Sequence, residues 1–175
     1  MADAIIGVAD LVKKFKSLDD DIKTKTGRRM VASAAGVIKR QARQNVMTKG
    51  LVRTKALLNN IAVKRETKAP ANTIQYNVGV RHGRELTRKQ KLNSKIILKR
   101  ANGRIRVFRQ NDPFYWRFVH EGHKTTASSL RNKGRAATRS IPPEPFLKDA
   151  AEQKYNEAIA QMGKVLDKEL LKAGK

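Results

Sequence analysis

The spacing of apolar residues changes twice along the chain, and that change limits the fold more than any other feature. Ile5, Val8, Leu11, Val12, Phe15, Leu18 and Ile22 recur three or four apart, and Val31, Ala34, Ala35, Ile38, Ala42 and Val46 repeat the pattern. One side of a helix is therefore apolar through residues 1–47. Gly27 either separates the two series or bends one long helix, since a single glycine costs about 1 kcal/mol in a helix. LVRTKALLNNI at 51–61 reads as a further short helical segment. The period then drops to two: Ile74, Tyr76, Val78 and Val80 alternate with Thr73, Gln75, Asn77 and Gly79, as a strand with one buried face requires. Ile61 and Val63 begin a partner strand across the turn-forming KAPAN at 68–72. After Pro142, Pro143 and Pro145 the helical period returns, with Leu147, Ala151, Tyr155, Ala158, Ile159, Met162, Val165, Leu166 and Leu170 on one face and Gly174 at its end.

Strands bracketed by helices predict an α+β fold: a small antiparallel sheet packed with a long N-terminal helical region and a C-terminal helix. At 175 residues the chain suits a single domain, 1–175. Two basic arms or loops, 81–109 and 122–140, are inserted in it. In the first, KIILKRANGRIRVFRQ at 95–110 sets Asn102-Gly103 between two apolar-containing stretches, a signature of a tight hairpin turn. A helical reading of 84–99 competes with it. In the second, GHKTTASSLRNKGRAATRS at 122–140 has no apolar period and reads as a mobile loop.

Charge is the strongest functional signal. The chain holds 39 Lys and Arg against 15 Asp and Glu, a formal net charge of +24. Residues 81–140 carry 17 of those cations with Glu85, Asp112 and Glu121 as their acids, so one third of the chain supplies +14. Long-range attraction then selects polyanions or acidic protein surfaces. Arg81, Arg84, Arg88, Lys89, Lys91, Arg104, Arg106, Arg131, Lys133, Arg135 and Arg139 are the candidate contact residues. Exposed aromatics are not interleaved among them, so phosphate contact is a more natural nucleic-acid chemistry than base stacking. Cysteine is absent, which removes disulfide frameworks and thiolate metal sites. No apolar run reaches membrane-span length, and Asp3 and Asp10 interrupt the N-terminus. The expectation is a soluble chain of cytoplasmic origin, with no membrane.

Five of the nine aromatics, Phe108, Phe114, Tyr115, Trp116 and Phe118, fall within eleven positions. FYWRFVHEGHKTT at 114–126 also sets His120 and His123 about Glu121. A zinc-protease helix needs its two histidines four apart, so that both face the metal. Here the spacing is three with Gly122 between, and His82 lies far off in sequence. No paired carboxylates, nucleophile elbow or phosphate-cradling glycine loop appears. No enzyme, no metal and no cofactor are expected. The stretch reads as architecture: a strand or short helix whose alternate side chains enter the core, ending where Gly122 lets the chain turn sharply. Trp116, Phe118, Phe146 and Leu147 are expected in one core cluster.

YWRFVHEG at 115–122, followed by PPEPFLKDAAE at 142–152, resembles the signature of the tailed-phage head–tail joining or tail-completion proteins of the neck and minor tail. VMTKGLVRTKALLNNI at 46–61 is a weaker third match, lacking the Pro and Asp expected before the Thr-Gly element. The similarity spans roughly residues 25–65 and 114–155. It implies a structural virion protein forming a homo-oligomeric ring, a hexamer, at the head–tail interface. Its partners would be a head-side connector or adaptor and a tail tube or tail terminator, with DNA in the lumen as another contact. It would be assembled in the host cytoplasm. The resemblance makes Trp116, Phe118, Glu121, Gly122, Pro145, Phe146 and Leu147 structural, with Glu121 a structural or interface carboxylate. The rival reading from composition is a basic, non-enzymatic nucleic-acid-binding module.

Overall fold

A computed structural model describes residues 22–52, 54–71, 73–101, 104–126 and 138–173. A π-helical turn, Ile22–Thr26, runs directly into helix α1, Gly27–Thr48, while the helical series expected at Ile5, Val8, Leu11, Val12, Phe15 and Leu18 lies outside the described residues. Helix α2, Ala56–Asn60, leads at once into strand β1, Ile61–Arg65, which pairs with β2, Tyr76–Val80. A 3-10 turn at Gly83–Glu85 and helix α3, Arg88–Leu92, precede strands β3, Ile96–Ala101, and β4, Arg104–Arg109. Helix α4, Trp116–Glu121, is followed by β5, His123–Thr126, and β6, Thr138–Ile141, and the long helix α5, Phe146–Ala173, completes the order. The fold is mixed helix and sheet, as expected. Its strands form three two-stranded ribbons among the described residues, not one sheet.

The described residues group into two compact units. One comprises residues up to Ile38, Val63–Asn77 and the stretch from Lys154 onward; the other comprises Lys39–Ala62 and Val78–Gln153. In the first, Ala34 and Val37 of α1 pack with Ala158 of α5, and Ile38 and Met162 lie against them. Arg29 donates to Glu169 at 2.6 Å across this seam. The apolar arc of α5 is wider than its contact with α1, which covers a limited stripe. Tyr155, Ile159 and Leu170, expected on the buried face, are 64%, 50% and 40% exposed.

In the second unit the buried side chains include Ala42, Val46, Leu57, Ile61, Val80, Leu86, Phe146 and Ala150. The start of α5 is tied to the end of α1 by polar groups. Asn45, 6% exposed, donates to the Phe146 carbonyl at 3.3 Å, and Gln41 donates to both Asn45 and Gln153. Lys49 forms ion pairs with Glu144 and Asp149 at 2.8 and 2.9 Å. Those two carboxylates hold its ammonium above the usual lysine value, Asp149 contributing most.

Both readings of residues 84–99 are realised in part. Thr87 and Gln90 close a capping box that starts α3, and the chain then enters the expected hairpin, whose register closes at Ala101 opposite Arg104. Asn102 and Gly103 lie outside the described residues. The loop expected at 122–140 is strand-paired at both ends, with His123 opposite Ile141 and Thr126 opposite Thr138. Arg131, Lys133 and Arg135 lie outside the described residues, as does Gly174.

Candidate partner-binding surface

A buried carboxamide fixes the base of the β3–β4 hairpin. Asn60 ends α2 with its side chain 1% exposed, and a polar group so placed must find partners. Its Nδ2 donates to the carbonyls of Ala56 and Asn111, at 2.8 and 2.9 Å. Its Oδ1 accepts from Gln90 Nε2 at 2.8 Å. Asn111 Nδ2 donates in turn to the Gln90 carbonyl at 2.7 Å. Beside this hub Arg109 Nη1 donates to the Lys91 carbonyl at 2.6 Å, and the Gln110 N–H donates to the Lys95 carbonyl at 3.0 Å. Helix α3 and both ends of the ribbon are thereby tied to α2. Asn60, Gln90 and Asn111 escape a reading from sequence, because isolated carboxamides create no periodicity; Thr87-x-x-Gln90 was the one local signal.

Beyond its base the ribbon is basic and apolar at once. Its register sets Ile96 opposite Arg109, Leu98 opposite Val107, and Lys99 opposite Arg106. Residues 95–109 hold six Lys and Arg and no Asp or Glu. Leu92, Ile96 and Leu98 are 73%, 57% and 65% exposed.

Among the other candidate cations, Arg84, Arg88 and Lys89 are exposed, and Arg81 is half-buried. Lys91 is engaged on the protein itself, its Nζ donating to the Arg84 carbonyl at 3.0 Å. Arg104 and Arg106 lie in β4, and Arg139 lies in β6 opposite Thr125. Lys39 and Arg43 from α1 gather near Arg81. Burial, then the charges of Arg43 and Arg81, lower the Lys39 ammonium below its usual value. Arg43 donates to the Ile61 carbonyl at 3.5 Å.

The aromatic element is a helix, which changes the face that each residue presents. On a strand Trp116 and Phe118 would point alike; on a helix residue 120 shares the face of 116, and 118 points away. The Trp116 ring lies 6.2 Å from His120 at a tilt of 53°, and His120 meets Phe146 edge-on at 5.2 Å. Phe146 is 0% exposed and Leu147 half-buried, while Phe118 is 53% exposed beside His123. Phe118 is thus no part of the expected core cluster. Burial lowers the His120 imidazole below its ordinary value, outweighing the opposing pull of Glu121 and Asp149. Among the described residues no group of three or more His, Cys, Asp or Glu could hold a metal, and no helix is long and apolar enough to cross a membrane.

Gly122 ends α4 with φ +74°, and a Cβ there would come within 2.8 Å of the Ile141 carbonyl oxygen and of Pro143 N. The Glu144 N–H, next to Pro145, donates to the Val119 carbonyl at 2.9 Å. These contacts lock α4 to the proline-rich segment that opens α5. Pro145 is half-buried, and the Glu121 side chain is exposed.

Residues 9–122 match the family model HK97-gp10_like, described as "Bacteriophage HK97-gp10, putative tail-component". No curated protein and no solved structure matches the chain.

Proposed function

Because the chain belongs to the HK97-gp10-like family of phage tail components, we propose that it is a ring-forming neck protein that joins the head-side connector to the tail. The family match over residues 9–122 carries this reading. A structural role in the phage follows from the family; the ring, its hexameric count and its place at the head–tail interface are the proposal. The protein would work by assembly, without turnover. Exposed side chains at Ile96, Leu98, Tyr155 and Ile159 supply apolar area for neighbours to bury, and the cations of 81–140 supply electrostatic selection.

The test is electron microscopy of the purified full chain, paired with a phage lacking its gene. Closed rings, with unjoined heads and tails that the added chain restores to infectivity, are the expected result. A monomer in every condition, or normal joining in its absence, overturns the reading. The charge of +24 also favours a nucleic-acid-binding module. That reading requires a monomer or dimer binding duplex DNA with steep salt dependence.

A further inference from the structure

We infer that the β3–β4 hairpin is an insertion arm that docks into an apolar-floored, carboxylate-rimmed groove on a different virion protein. The inference rests on the assembly role proposed above and names the surface and the chemistry of its partner. A two-stranded ribbon is at best marginally stable in water unless a third strand or a packing surface supports it. Among the described residues β3 and β4 pair with each other and with no other strand. The base is clamped through Arg109 and Gln110, yet Ile96 and Leu98, on one face by strand alternation, are 57% and 65% exposed. The arm is held where it starts and uncovered at Ile96 and Leu98.

Charge selects among the occupants that could cover it. A second copy of the chain is a poor one, because each copy is +24 and many of its described carboxylates are already engaged. Glu144 and Asp149 hold Lys49, and Glu169 holds Arg29 and Lys172. Nucleic acid would satisfy the cations but leave Ile96 and Leu98 in water, since phosphates offer nothing to an aliphatic side chain. An acidic protein surface with an apolar floor answers both. Its carboxylates would answer the six cations that residues 95–109 carry without an acid, and its floor would bury the aliphatic side chains of Ile96 and Leu98.

The experiment uses heads and tails assembled without this chain, mixed with purified wild type or with Ile96→Lys/Leu98→Lys. The substitution removes the aliphatic face and adds positive charge, so protein docking and DNA contact respond in opposite directions. Joining, counted as infectious particles, should fall at least about tenfold, while ring size and melting temperature stay those of wild type. Wild-type joining by the variant overturns the inference, and tighter binding of short duplex DNA alongside it would mark the hairpin as a nucleic-acid arm. Loss of the ring in the variant also overturns it, because Ile96 and Leu98 would then lie between copies. A wild type that joins without forming a ring fails the proposed function, whereas the loss of joining in the variant would still support the arm.

Discussion

The helix seam and the hairpin base are built from opposite chemistries. At Ala34, Val37, Ala158 and Met162 the chain excludes water with small and flexible apolar side chains. At Asn60, Gln90 and Asn111 it joins three segments distant in sequence through carboxamides, each acting on another's backbone or side chain. Apolar packing tolerates substitutions that keep volume and polarity. A buried polar hub tolerates very few, since every partner lost leaves a desolvated group behind. The hairpin arm therefore starts from the more exacting of the two regions, which suits an element whose direction matters more than its own stability.

The largest test of that contrast lies in the apolar centre of the second unit. Phe146 is fully buried and meets His120 edge-on, so Phe146→Ala should cost about 3–5 kcal/mol, read by denaturant melts. A smaller loss than that of Val37→Ala would mean that the seam, not the centre around Phe146, is the deeper apolar packing. Asn60→Leu comes next: it keeps the branched shape with bulkier methyl groups and removes three hydrogen bonds, and each stranded buried group costs about 1–3 kcal/mol. Ala158→Ser in the seam, exposed to the same assay, should lose less. If Asn60→Leu melts with wild type, the carboxamide hub does not hold the hairpin base.

What could be read from the sequence follows the same division. Helical and alternating periods disclosed α1, α5 and the strand at Tyr76–Val80, because each repeats a local rule over many residues, and the Asn-Gly dipeptide marked the β3–β4 hairpin; the packing of α1 on α5 was not read, since the helices were expected on a sheet. The hub was invisible, because Asn60, Gln90 and Asn111 meet through tertiary placement with no repeated spacing. Phe118 was misplaced for a related reason: six residues, Trp116–Glu121, are too few for the period to separate strand from helix. The exposed side of α5 shows the converse limit, since periodicity marks an apolar face without saying how much of it a neighbour covers.

Protonation separates the seam from the aromatic corner at His120 by the smallest effect. Burial holds the His120 imidazole below its ordinary value of 6.5, so the folded chain resists a proton that the unfolded chain accepts. Its contribution is fully present above that value and is lost as pH falls toward the lowered folded value. In the seam, Glu169 is held below the ordinary carboxylate value of 4.5, first by its hydrogen bond from Lys172 and also by Arg29. Its contribution survives until lower pH, and exposure to water and salt keeps it small. Melting temperature should therefore decline in two limbs on acidification, the first from His120 and the second from carboxylates such as Glu169. His120→Gln should flatten the upper limb and spare the lower; Glu169→Gln should do the reverse and to a lesser degree. An unchanged upper limb in His120→Gln would mean that the imidazole between Trp116 and Phe146 accepts its proton as readily folded as unfolded, and the aromatic corner would then be wetter than its packing implies.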